Sequence, residues 1–456
     1  TKQLNDSRGV FINSELGEDG LSKNAIGAHI GNKKQQLSLH YNNRYSDGYR
    51  QHNQFRAESM LATVSQQLSE SFSFKLIGRS HEHDYQLPGP LSADGLADGT
   101  IEPTDSDEDA RMAGTNEDHS IAHVMQWQPH STLRISNTAH YRDRTNDFWE
   151  LEHASNPDRA TLISRGNETL MHWQAIPDIA IVSVGGAYAE NRYARTDGGI
   201  DRRDRKLNSG LLRERAAFAY ASVKPLEVLE IQGGYRKDRT HSKFSQYRLT
   251  DIEDTSSPLC IYDPRFDTYL NCPIMLTDIE LPESVRDEIW KNEVTELGAV
   301  VSLNPDTRIY ASYAKTFRLP NVDELVLSED TLTYQHAERF ELGIKHQNDW
   351  LDITLGLFKS RTVDEIQFRD MGGTGKNINY DSSIDRKGVE VDLSYYATAS
   401  LKLSLQVGYI HARDSDHEKI PLAPKSNTTL GLHFTQSGWQ IDSYWRYVDE
   451  RLDGNH

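Results

Sequence analysis

Apolar and polar residues alternate with a period of two along most of this chain, the period an extended strand imposes on its two faces. Phe340, Leu342 and Ile344 alternate with Arg339, Glu341 and Lys345, and Leu351, Ile353, Leu355 and Leu357 with Asp352, Thr354 and Gly356. Leu401 to Tyr409, Phe72 to Leu76 and Trp439 to Tyr447 follow the same rule. Ile179 to Tyr188 alternates poorly, as a wall lined with glycine and alanine does. The pattern predicts an all-β chain.

The connections are more informative than the strands. Turn signals fall at Asn32-Lys33, Ser69-Glu70, Pro129-His130, Pro177-Asp178, Lys224-Pro225, Asn304-Pro305-Asp306, Asn348-Asp349, Ala399-Ser400 and Ser437-Gly438. Longer polar segments lie between them, at about Leu87–Asn116, Asn146–Arg159, Arg195–Lys206, Gln246–Glu288 and Arg318–Thr333. Short and long connections alternate, which predicts an up-and-down antiparallel meander of about nineteen strands.

Many of these strands span roughly ten to sixteen residues. A tilted strand needs about nine to eleven to cross a bilayer, and soluble strands average about five or six. Short turns on one side and long loops on the other fit a transmembrane barrel with periplasmic turns and extracellular loops. A propeller or sandwich is the runner-up, but no repeat of about forty residues is present. Lipid leaves no partner for a bare strand edge, and bacterial barrels have even strand numbers. An odd count therefore means an error of one, or a chain incomplete at an end.

Composition narrows the function. The 456 residues are 36% hydrophobic and 26% charged, with a net charge of −18, so nucleic acid is excluded as the main partner. Mean hydropathy is −0.68. No apolar run reaches transmembrane-helix length, and Thr1 opens no signal peptide, so the N-terminus reads as processed or cut. Cys260 and Cys272 sit in a stretch rich in Pro, Asp and Tyr. They read as a disulfide closing a small loop in an oxidising compartment, with two buried thiols as the alternative.

Against this background Tyr310-Ala-Ser-Tyr-Ala-Lys-Thr-Phe-Arg-Leu-Pro-Asn-Val-Asp-Glu-Leu325 resembles a strand and loop of TonB-dependent outer-membrane receptors. Arg339–Lys345, Arg386–Asp392 and Ile420–Pro424 resemble later motifs of that family in order, and Arg44–Arg50 is similar to an early external loop. The resemblance implies a 22-stranded barrel, of which about 19 strands are expected here. It also implies that Thr1-Lys2 marks the junction with an N-terminal plug, and that the plug and the last three strands are not in this chain. The implied function is TonB-energised uptake of a metal chelate, most simply a ferric siderophore or a ferric-citrate-like complex. The implied partners are the TonB-ExbB-ExbD complex (through the plug), the ferric chelate, and outer-membrane lipid with lipopolysaccharide. The implied location is the outer membrane of a Gram-negative bacterium. A haem or cobalamin receptor of the same family and a passive porin-like barrel or adhesin are the alternatives. No cofactor is expected.

Candidate binding residues follow from chemistry. Arg192, Arg195, Arg202, Arg203, Arg205 and Lys206 crowd one predicted external loop, beside Asp201 and Asp204. Guanidinium groups bind carboxylate and phosphate bidentately, so the cluster reads as a funnel for an anionic chelate or as a contact to lipopolysaccharide. Tyr85 precedes Leu87-Pro-Gly-Pro-Leu91, which resembles a loop of ferric-citrate-like receptors. Trp149 suits stacking on a flat ligand or an aromatic girdle. Arg318, in Phe-Arg-Leu-Pro, and His336 lie where haem receptors carry similar residues, although Leu319 departs from their motif. Asp105, Asp107, Glu108 and Asp109 read as a calcium loop or a solvated one, with Ala110 in place of the required glycine. His81 and His83 read as half a zinc site or a lumen-facing pair. An enzyme is not expected: Gly372–Asn377 lacks the first glycine and the Ser or Thr of a phosphate loop.

Overall fold

The computed structural model describes residues 7–107, 111–149, 157–197, 206–253, 261–263, 268–270, 274–326, 328, 332–370, 375–415, 420 and 424–450. The early strands are β1 (Ser7–Leu16), β2 (Ser22–Gly31), β3 (Gln35–Ser46), β4 (Phe55–Ser69) and β5 (Phe72–Leu87). After a short helix α1 (Ala93–Asp98) come β6 (Met112–His130), β7 (Leu133–Trp149), β8 (Asp158–Ile176), β9 (Ala180–Asp197), β10 (Lys206–Leu226) and β11 (Leu229–Glu253). A small hairpin, β12 (Ile261–Asp263) and β13 (Thr268–Leu270), precedes β14 (Ile274–Asn304) and β15 (Thr307–Arg318). Then follow α2 (Val322–Val326), β16 (Gln335–Gln347), β17 (Leu351–Val363) and a second hairpin, β18 (Ile366–Asp370) with β19 (Gly375–Asn379). The last strands are β20 (Ile384–Thr398), β21 (Leu401–Arg413), β22 (Ser426–Gln436) and β23 (Trp439–Val448).

Outside the two hairpins, 19 strands make one sheet. The expected count holds. Turns of two or three residues alternate with loops of five or more from β1 to β23, so an antiparallel meander puts all turns at one end of the strands. Side-chain chemistry fixes several turns. Asn32 Oδ1 accepts from the amides of Lys34 and Gln35, and Asn348 Oδ1 from those of Trp350 and Leu351. Two turn positions shift: Lys224 and Pro225 remain in β10, which turns at Glu227-Val228, and β6 includes Pro129 and His130. A larger correction concerns Gln246–Glu288. It was expected as loop, yet β11 runs to Glu253 and β14 starts at Ile274, with a hairpin between them. Beyond the bilayer a strand needs no apolar face, so hydropathy does not reveal it.

The chain divides into two compact units. The first comprises Thr1–Leu170, Ala187–Arg215 and Thr240–Trp290. Its registers define two faces. Directly opposed residues run Val10, Ala28, Leu39, Ala62, Gly78, Ile121 and Tyr141 across β1 to β7. Val10, Leu39, Ile121 and Tyr141 are exposed, so this is an apolar face turned outward. The opposite face carries Arg44, His81, His83, Tyr85, Asp118 and Arg142. The row climbs: Val10 is the fourth residue from the turn end of β1, and Tyr141 the ninth from that of β7. Tilted strands produce that climb.

The second unit comprises Met171–Gly186, Ala216–Arg239 and Lys291–His456. Here Ala311, Leu342, Leu357, Val389 and Tyr409 oppose one another on the apolar face. Tyr310, Glu341, Glu390 and Gln406 lie on the polar face, where a hollow of about 310 Å³ opens. Buried apolar side chains are few and gather in the loop region: Val322, Leu325, Leu332, Ile366 and Ile384. Asn379 donates to the carbonyls of Thr333 and Asp364, and Asn377 to that of Glu324, tying those loops together.

Candidate functional site

The most structured polar site lies at the loop end of the first unit. The loop after β3 and the long loop after β5 enclose a cleft of about 510 Å³, lined by Tyr49, Arg50, His52, Gln54, Gln86 and Arg111 among others. Gly48 makes the turn into it at φ 78°, and a side chain there would collide with Asn53. Arg50 Nε donates to the Asp105 carbonyl at 2.9 Å, while its Nη2 is buried with no partner among the described residues. A buried guanidinium nitrogen left unpaired costs stability, and Arg50 and Arg111 give the cleft two guanidinium groups beside Asp47. His52 Nε2 lies 3.0 Å from the Met112 carbonyl, with its donor role set by the tautomer.

Beside the cleft, on the polar face, the ends of β4 and β5 present an aromatic ladder. Phe55 stacks on His83 with ring centroids 6.0 Å apart, and Tyr85 follows His83 at 5.8 Å. Arg44 caps the Phe55 ring at 5.3 Å. His81 and His83 are 3.1 Å apart, and Ser59 lies 2.6 Å from His81. They form the expected polar pair on one strand face. No group of three metal-ligating side chains exists among the described residues.

The sequence candidates separate. Tyr85 is in the ladder. Arg195 pairs with Asp158 at 3.2 Å. Arg192 is an odd number of residues from Arg195 within β9, so it points to the other face, where its Nε donates to Glu190 at 2.9 Å. Trp149 shares the face of Tyr141 and Asp147, away from the ladder. Arg202, Arg203, Arg205, Cys260 and Cys272 lie outside the described residues, as do Glu108 and Asp109. Asp105 spends its carboxylate on the Glu102 amide and Gln51, as a turn anchor does. In α1's loop, two hydrogen bonds from Thr100 hold the Asp98 carboxyl below its ordinary range.

Arg318 is committed to structure. Its two terminal nitrogens grip Glu324 at 2.9 and 3.0 Å. Asn321 caps α2 through the Glu324 amide, and Glu324 returns a bond to the Asn321 amide, a reciprocal capping box. The Phe-Arg-Leu-Pro-Asn stretch is thus a strand end, a buried proline and a helix start. Sequence reasoning missed Arg50, Arg111 and Phe55; the external-loop stretch Arg44–Arg50 was the available signal.

The family model described as "TonB dependent receptor-like, beta-barrel" matches residues 39–456. The hemophilin receptor of Acinetobacter baumannii is 27% identical over 192 residues, which are 38% of this chain and 17% of that protein. An uncharacterized TonB-dependent receptor of Haemophilus influenzae is 23% identical over 147 residues, 30% of this chain and 42% of that protein. The matches thus span under half of either relative. Among solved structures, the ferric yersiniabactin uptake receptor FyuA of Yersinia pestis superposes with a TM-score of 0.76 at 10% identity, covering 100% of this chain and 71% of that one. The ferric-catecholate import receptor Fiu of E. coli gives 0.75 at 14%, covering 98% and 72%. At these identities the structures speak for the fold. The apolar face is the lipid face of an outer-membrane barrel, the polar face lines its lumen, and the chain belongs to the TonB-dependent receptor-like β-barrel family.

Proposed function

We propose that this chain forms the barrel of a receptor that takes up an anionic iron chelate, a ferric siderophore or ferric-citrate-like complex, with energy delivered through TonB and its ExbB-ExbD partners. The observation that carries the ligand reading is the pair of guanidinium groups, Arg50 and Arg111, lining a polar cleft at the loop end of the barrel. Carboxylate, catecholate or hydroxamate oxygens bound to iron suit such donors. Arg111 in the cleft, and Tyr85 and Arg195 on the polar face, are further contacts in this reading, and Arg202 and Arg203 follow Arg195 in the sequence. The fold's likeness to receptors described for ferric yersiniabactin and ferric catecholate supports this reading.

A haem source is the second reading. It is favoured by the His81–His83–Tyr85 ladder with Phe55, planar rings suited to a flat ligand, and by the partial likeness to a hemophilin receptor. Growth of a deletion strain on single iron sources separates the two. Loss of growth on one ferric chelate, restored by the wild-type gene and not by Arg50→Gln, supports the first reading. Loss confined to haem supports the second, and unimpaired growth on every source removes both.

A further inference from the structure

We propose that His81 and His83 chelate a copper(II) ion on the lumen wall, with oxygen donors from outside the chain filling the remaining positions. Residues two apart on a strand share a face, and both imidazoles are half-buried on the polar face of β5. His81 Nε2 and His83 Nδ1 lie 3.1 Å apart. With imidazole–metal bonds of about 2.0–2.1 Å, that separation subtends about 95–100° at a shared metal. A tetrahedral site would hold the two nitrogens about 3.3–3.4 Å apart. The narrower angle suits the tetragonal sites of copper(II) and nickel(II), and of these copper(II) binds more tightly. It departs from the zinc site that the His-x-His spacing suggests. The two rings are tilted by 45°. Rotation about χ2, which is soft in histidine, swings both lone pairs off the line between the nitrogens and toward one point.

A second feature orients the first ligand. Ser59 directly opposes His81 across β4 and β5, and its Oγ lies 2.6 Å from His81 Nδ1. When the Nδ1–H donates to that hydroxyl, the Nε2 lone pair is left on the side of His83. Metal-bound histidines are commonly held in this way, through the ring nitrogen that does not touch the metal. Ser59 is thus a positioning residue for the chelate.

Two protein ligands leave much of the coordination shell open, which suits a cargo that arrives and departs better than a permanent structural ion. The neighbouring charges select what fills the rest. Asp118 opposes His81, but its carboxylate is occupied by Arg142, whose Nε donates at 2.8 Å. Arg144 opposes Asp118, and Arg44 covers the Phe55 ring, both on the same face. A bare dication meets repulsion there, whereas copper(II) carrying carboxylate oxygens brings acceptors for those guanidinium groups. The place fits such a cargo. Gln54 and Gln86 line the cleft, and β4 and β5 lead from them to Ser59 and His81. His81 is the tenth residue from the turn end of β5, near the outer limit of the roughly nine to eleven that cross the bilayer. Coordination there needs neither Arg50 nor Arg111, so this site stands apart from the iron-chelate reading.

The test is a titration of the full-length receptor in detergent, purified without a polyhistidine tag, with copper(II) citrate as the probe and electron paramagnetic resonance as the readout. Wild type should bind one equivalent, with a tetragonal spectrum and modulation from two imidazoles. His83→Asn should leave one imidazole and weaken binding about tenfold or more. Ser59→Ala should keep both imidazoles in the spectrum and weaken binding by up to about tenfold. His119→Asn, on the opposite face of β6, should change neither spectrum nor affinity. Zinc(II) should compete at least about tenfold less well than copper(II). Copper lost from a variant whose heat-modified gel band is unshifted supports the site, because the barrel is then intact. A wild-type spectrum with fewer than two imidazoles, unchanged affinity in His83→Asn, or equal competition by zinc(II) overturns the proposal.

Discussion

Arg318 and Glu324 form a two-pronged ion pair across the start of α2, and Asn321 closes the same turn through both of its own polar groups. One carboxylate therefore holds the strand end, the helix cap and the loop direction together. Asn321→Ala should cost about 1 kcal/mol locally. Glu324→Gln removes the charge from both links and should open the loop more. Limited proteolysis after β15 should accelerate in both variants, with ligand affinity unchanged if Arg318 acts only on the loop.

Tyr310 lies over Gly343, its directly opposed residue, and bonds Glu341 at 2.9 Å. A Cβ at position 343 would fall 2.4 Å from the Tyr310 ring. Gly343→Ala must therefore displace the tyrosine, at a cost of about 1–3 kcal/mol for an overpacked site. The heat-modified gel band should appear at lower temperature, and Tyr310→Ala in the same chain should restore it in part.

Asp287 links β14 to β11 far above the bilayer, the eighteenth residue from the turn end of its strand. Lys243 at 2.8 Å, and then His241 at 2.5 Å, hold its carboxyl below the ordinary range. A depressed carboxylate stabilises the fold above its unfolded value, near pH 4, and that contribution disappears as pH falls through the lower folded value. Asp287→Asn should lower the melting temperature slightly at pH 6, and the difference from wild type should vanish at pH 3. A difference that persists at pH 3 would contradict the ion pairing.

Cys260 directly precedes β12 in sequence, and Cys272 follows β13 by one intervening residue. The hairpin register pairs Ile261 with Leu270. We propose the Cys260–Cys272 disulfide as the closure of this hairpin. Peptide mapping without reductant should yield one linked fragment; two alkylated thiols in outer-membrane protein would refute the bond.

The fold was legible where its determinants are local. Asn304-Pro305-Asp306 announces a turn because Asn304 Oδ1 can reach the Asp306 amide, at 3.0 Å here, and nothing distant is needed. Strand faces were legible from alternation once lipid selected one of them. The arginine stretch was misplaced because β9 continues to Asp197 with polar residues, so strand looked like loop, and the strand's period splits Arg192 from Arg195. Glu190 was missed although Tyr188 and Arg192, two residues to either side on the same strand face, both bond it. Its other partners are 25 residues before it and 23 after it, and only the registers of β8, β9 and β10 bring those in. The unpaired nitrogen of Arg50 was equally hidden, since a missing partner has no sequence signature.

The slant of the cross-strand row has a practical corollary. Residues on one rung sit at different depths: Val10 is the fourth residue from the turn end of its strand, while Tyr141, six strands further along the same rung, is the ninth. Grafting a side chain from one strand to its neighbour at the same rung therefore changes its depth, and mutational tolerance on this wall should follow oblique bands around it.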